Sequence, residues 1–173
     1  MGDVYEKVKD SRTALEKITD FIPGWNGYQE RQTRRKADQL LRDTLADKLA
    51  EQRRRLNEAQ KDLIEHKRLD LVDDLESAST QLQTFIDRVR LATYGYAGIF
   101  DAAKVKEDEL EKLYNFDVAL VEYVERLDAA NDRLREAIPS EQGLVETVRI
   151  VRDICSEANS TFDEREHVIL GSA

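Results

Sequence analysis

One cysteine, two prolines and seven glycines in 173 residues leave this chain with little to cross-link or interrupt it. The lone Cys155 cannot form an internal disulfide, which favours a reducing, cytoplasmic setting. Both prolines, Pro23 and Pro139, fall between periodic segments rather than inside them. No run approaches the roughly 18 consecutive apolar residues that a membrane-crossing helix requires. The start, Met-Gly-Asp-Val-Tyr-Glu, has neither the basic stretch nor the apolar run of a secretory signal. Only two histidines, His66 and His167, are available for metal ligation or proton transfer. No segment reads as a strand.

What is abundant is charge. Charged residues make up 36% of the chain and apolar residues 40%, a balance that favours long exposed helices over a thick core. The net charge of −9 is unevenly spread: residues 31–68 carry +5 and the remainder −14. The acidic remainder can pack against the basic segment within one chain or between two copies. Net acidity argues against nucleic acid as a partner, and the basic runs lack interleaved aromatics for base stacking.

Apolar spacing predicts an all-α, elongated, antiparallel helical bundle with coiled-coil character, built as a single domain over 1–173. The expected helices cover about 3–20, 28–67, 70–93, 107–137 and 141–169. In the second, Leu41, Leu45, Leu49, Leu56, Ala59 and Leu63 trace one slowly drifting face. The third has the cleanest seam, Leu71, Leu75, Ala78, Leu82, Phe85, Val89 and Ala92, alternating steps of four and three. The fourth runs through Leu113, Leu120, Val124, Leu127, Leu134 and Ile138, with Asp117 and Asn131 at two intervening seam positions. Pro139 is expected to stop it and Ser140 to cap the fifth helix, whose seam includes Cys155. Short reversals predict that successive helices run antiparallel.

Two aromatic-glycine knots interrupt these helices, Ile22-Pro-Gly-Trp-Asn-Gly-Tyr28 and Tyr94-Gly-Tyr-Ala-Gly-Ile-Phe100. Glycine gives backbone freedom and close approach, while tyrosine and tryptophan bring large rings with one polar handle each. Trp25, Tyr28, Tyr94, Tyr96 and Phe100, with Asp117 from the fourth seam, are therefore the candidate ligand or partner contacts. The plainer reading is that both knots are packed corners. Tyr94-Gly-Tyr-Ala-Gly98 has neither dinucleotide-loop spacing nor the ending of a phosphate loop.

The remaining chemistry is sparse. Arg34-Arg-Lys36 and Arg53-Arg-Arg55 suggest anionic surfaces, yet consecutive helical residues diverge by about 100°, so no such triplet faces one groove. Glu30, Arg34, Asp38 and Arg42 instead form an i,i+4 ladder, the pattern of a solvated helix face. Glu164-x-x-His167 has the local spacing of a di-iron bundle ligand pair but no second copy. The sequence thus predicts no catalytic residue, no metal site and no cofactor. It reads as a non-enzymatic helical scaffold or protein-interaction module that associates with itself. The alternative is a small-ligand binding or sensory bundle using the Tyr94–Phe100 corner.

Overall fold

The computed structural model describes residues 13–91 and 107–171. Among these the chain is helix and turn throughout, with no strand. Helix α1 covers 13–21, α2 Arg34–Glu65, α3 Val72–Leu91, α4 Glu107–Ser140 and α5 Leu144–Gly171. A 3-10 turn at Leu69–Leu71 precedes α3.

The apolar seams form the core. Leu41, Leu45, Leu49, Leu56 and Leu63 of α2 are fully buried, as are Leu75, Ala78, Leu82, Phe85 and Val89 of α3. Phe85 and Phe162 meet edge to face across α3 and α5, with ring centres 6.0 Å apart. Asp73 and Asp74 stand in the first turn of α3 and Arg88 and Arg90 in its last, complementing the helix dipole at both ends.

Helix boundaries differ from those expected at several places; α5 begins at Leu144 rather than 141, and Ser140, expected to cap it, is the last residue of α4. Helix α2 starts at Arg34 rather than near 28, and residues 22–33 form a strap of bends and turns. The main chain of Tyr28 explains the delay: its N–H donates to the Tyr114 hydroxyl and its carbonyl accepts from Arg34 Nε, so neither enters a helical turn. Helix α4 runs through Pro139 to Ser140. Proline removes one N–H there. The Ser140 hydroxyl donates to the Glu136 carbonyl (2.9 Å) and Glu141 N–H to that of Ala137 (2.7 Å), so the end stays bonded.

Cross-helix contacts fix the arrangement. Helices α2 and α3 are antiparallel: Asn57 meets Ser79 toward one end, and Arg42 reaches the carbonyls of Val89 and Arg90 toward the other. Helices α4 and α5 are likewise antiparallel, through Arg126–Glu157, Tyr123–Thr161 and Asp117–Arg165. The two hairpins lie side by side in the same orientation. Helix α2 is therefore parallel to α4, with Gln52 bonded to Asn131, and α3 is parallel to α5, with Asp74–Arg152 and Arg88–Asp163 along their length. The helices contact in the cyclic order α2, α3, α5, α4, placing α3 and α4 on a diagonal. Successive helices paired by a tight turn thus run antiparallel, but half of the lateral contacts are parallel. The fifteen residues between α3 and α4 allow this, since a connection of that length need not join nearest neighbours.

Both tight turns end the bundle on one side, where Arg68 of the first pairs with Glu141 of the second at 3.6 Å. Each turn holds a non-glycine residue in the left-handed region, Lys67 (φ 60°) and Glu141 (φ 59°). After α2, Arg68 N–H bonds to the Leu63 carbonyl and Lys67 N–H to that of Ile64, the paired C-terminal bonds that usually place glycine at the Lys67 position.

Candidate functional site

At the opposite end the strap folds against the beginnings of α2 and α4. Trp25 is buried and its indole N–H donates to the Ala37 carbonyl at 2.8 Å. Its ring meets Tyr28 edge-on at 5.1 Å and Tyr114 at 6.1 Å, while Tyr28 and Tyr114 stack at 5.5 Å. Gly27 has φ +81°, and a Cβ there would sit 2.6 Å from the Tyr114 hydroxyl. The glycine beside these aromatics thus lets the strap backbone reach a tyrosine hydroxyl that no larger residue would permit. Helix α1 reaches the same region, with Lys17 bonded to Glu122 and Phe21 beneath Lys48.

Beneath the strap lies a buried charge cluster drawn from four elements. Tyr28 donates its hydroxyl to Asp117 Oδ2 at 2.6 Å. The other oxygen of Asp117 accepts from Arg165 Nε at 2.8 Å. Arg165 Nη2 continues to Asp38 Oδ1 at 2.8 Å, and Arg42 Nε closes on Asp38 Oδ2 at 2.7 Å. Asp117 and Arg165 are wholly shielded from solvent, and Asp38, Arg42 and Arg34 are nearly so. Burial of ions costs several kcal/mol each, and a chain of this kind offsets that only where each charge is bonded on more than one side.

The environment shifts the titrating groups. Burial pushes the Asp117 carboxyl up to about 6, against the opposing pull of the Arg165 charge and the Tyr28 hydroxyl. Burial also raises the Tyr28 phenol well above its ordinary value, with the neighbouring carboxylates adding to the effect. Tyr114 is raised as well, again chiefly by burial.

Three of the six sequence candidates, Trp25, Tyr28 and Asp117, come together here as buried side chains. Tyr94, Tyr96 and Phe100 lie outside the described residues. The ladder expected on a solvated face of α2 is corrected: Arg34, Asp38 and Arg42 are buried, because the strap, α3 and α5 close over that stretch of helix. Sequence reasoning passed over Arg165 and set Asp38 on a solvated face. Both stand three residues from a seam position, Phe162 and Leu41, and a charge on an extended seam was the available signal.

A second polar layer lies deeper in the bundle. Asn131 Nδ2 donates to Gln52 Oε1 at 2.8 Å, and Gln52 Nε2 donates to Asp128 at 3.0 Å. Arg55 completes it by bonding Asp128 and Asp132. Cys155 is buried, and desolvation pushes its thiol up to about 12, so it behaves as a small apolar side chain. Phe116, Asp163, Glu164 and His167 line a solvent-open hollow of about 480 Å³. Among the described residues no group of three His, Cys, Asp or Glu side chains is placed to hold a metal ion. Nor is any described helix long and apolar enough to cross a membrane. No family model, curated protein or solved structure matches this chain.

Proposed function

We propose that this chain is a non-enzymatic helical scaffold: a single elongated domain with coiled-coil character that binds protein partners, including a second copy of itself, in the cytoplasm. The observation that carries this reading is the way the polar chemistry is used. The buried ions of the strap end are bonded to one another and to the main chain, in an interior packed with aromatic rings. That is the arrangement of a fold-specifying network rather than of a site that receives substrate. On this reading Trp25, Tyr28 and Asp117 act by holding the strap.

The basic runs support protein over nucleic acid as a partner, since several of their members are used internally. Arg34 is buried, Arg53 bonds the Ser79 carbonyl and Arg55 pairs with Asp128 and Asp132. For self-association the supporting feature is the two-turn end, where Ile64, Leu69 and Val145 are each about half exposed or more. Sedimentation equilibrium across a micromolar concentration series tests it. The wild type is expected to show a concentration-dependent dimer or larger species, and Ile64→Glu with Leu69→Glu and Val145→Glu to shift it to monomer. A wild type that stays monomeric throughout would end the self-association reading.

A further inference from the structure

The two-turn end keeps side chains where its own turns do not use them. Lys67 and Glu141 both hold the left-handed backbone in which glycine is the default residue, and a residue with a Cβ gives up stability there. Main-chain groups close both turns, through Lys67 N–H to Ile64, Arg68 N–H to Leu63 and Glu141 N–H to Ala137. Lys67 and Glu141 themselves stand exposed. Beside them are Ile64, Leu69 and Val145, three of the five large apolar side chains exposed among the described residues, so apolar surface is concentrated on this end.

Charge divides between the turns. Residues 64–69 carry Lys67 and Arg68 against Glu65, whereas residues 139–146 carry Glu141 and Glu146 and no basic residue. One surface thus presents a basic turn beside an acidic one, which is what a self-complementary contact between identical surfaces requires. Building on the self-association reading above, we propose that this end is where two copies of the chain meet, the turn after α2 of each copy lying on the turn after α4 of the other.

In that arrangement Lys67 of one copy meets Glu141 of the second, and the two-fold axis makes the pair twice. Ile64 and Leu69 of one copy cover Val145 of the other in the same way. Stacking each turn on its own equivalent would instead set Lys67 against Lys67 and Glu141 against Glu141, so like charges exclude it. The surface is already fixed in the single chain. Arg68 bonds Asp70 through Nε and Nη2, each at 3.0 Å, and its Nη1 reaches Glu141 at 3.6 Å, so one side chain holds the two turns at a set distance. Little ordering is left to oppose association.

The test is a charge swap read by sedimentation equilibrium of the whole chain, with circular dichroism confirming that each variant keeps its helix content. The wild type is expected to dimerise. Lys67→Glu or Glu141→Lys alone is expected to raise the dissociation constant about tenfold, because each turns two attractive contacts into two repulsive ones. Lys67→Glu combined with Glu141→Lys is expected to restore most of the lost affinity. Lys67→Gly separates contact from turn geometry: it relaxes the backbone yet is expected to weaken the dimer. A dimer that none of these substitutions affects leaves self-association standing on another face and overturns this contact. A dimer weakened by both single changes but not recovered by the swap overturns the pairing of Lys67 with Glu141. A wild type that stays monomeric throughout ends the self-association reading and this inference with it.

Discussion

Arg165 is the keystone of the buried cluster, and its removal gives the sharpest test of the energetics. Arg165→Met keeps an unbranched stem of similar reach but leaves Asp38 and Asp117 without the guanidinium that bridges them at 2.8 Å on each side. Breaking a buried pair by removing one partner costs about 3–5 kcal/mol, because a desolvated charge is left uncompensated. For a 173-residue chain, a loss of about 4 kcal/mol lowers the thermal midpoint by about 11 °C. Urea unfolding should show the same loss as a shift in midpoint at unchanged slope. The deficit should also depend on pH. Arg165 is the largest influence holding the Asp117 carboxyl down, so without it the folded-state pKa climbs further above the unfolded value. A carboxyl raised in the folded state loses stability as pH rises, so the deficit must be larger at pH 8 than at pH 5. Adding Asp117→Asn to Arg165→Met should recover part of the loss by removing one stranded charge. A loss under about 1 kcal/mol, or a deficit that shrinks with rising pH, would refute the view that these carboxylates depend on Arg165.

Gly27→Ala should destabilise the chain by about 2 kcal/mol or more, since it combines positive φ with a Cβ 2.6 Å from the Tyr114 hydroxyl; calorimetry reads the loss. Lys67→Gly should do the reverse and stabilise by about 1 kcal/mol in chemical denaturation, because the left-handed turn it occupies favours glycine. Gln52→Leu alone should cost about 1–3 kcal/mol in chemical denaturation by leaving the buried Asn131 amide with only the Gln52 main-chain carbonyl, while Gln52→Leu with Asn131→Leu should cost less than the single change. Cys155 should fail to react with a thiol reagent at pH 8 in the folded protein and titrate as one thiol once unfolded, as its burial and raised pKa require.

The helical character of the chain was legible because leucine spacing is a strong signal wherever a single face is buried. The seam residues of α2 and those of α3 from Leu71 to Val89 are core residues in the structure, while Ala92 lies outside the described residues. Asp117 and Asn131 were also visible, as polar residues at seam positions of α4, but their partners were not. Arg165 lies 48 residues from Asp117 and Asp38 lies 127 from Arg165, so spacing along one helix could not reveal the cluster. The Asp38–Arg42 pair was misleading for a related reason. An i,i+4 pair has the same sequence appearance on a wet face as on a buried one, and the α3 and α5 residues packed on it decide which it is. Helix order was hidden too: local turns dictate antiparallel hairpins, whereas the parallel contacts of α2 with α4 depend on residues that meet across the bundle.

Those parallel contacts have a logic of their own. The buried charge layer contains Asp38 of α2 and Asp117 of α4, and the buried amide layer contains Gln52 of α2 and Asn131 of α4. In each helix the two positions are two heptads apart, about 21 Å along the axis. Equal spacing lets both layers close at one register. A slip of one heptad in either direction would break both layers, setting Asp38 and Gln52 against Leu110 and Val124 or against Val124 and Ile138. Apolar seams alone would tolerate such a slip, since leucine can replace leucine at modest cost. The polar layers therefore decide register while the apolar seams supply most of the adhesion. That division suits a scaffold, whose task is to hold surfaces at fixed spacing. It also places Asp117, whose carboxyl burial pushes up to about 6, within the layer that ties the strap to α2, α4 and α5.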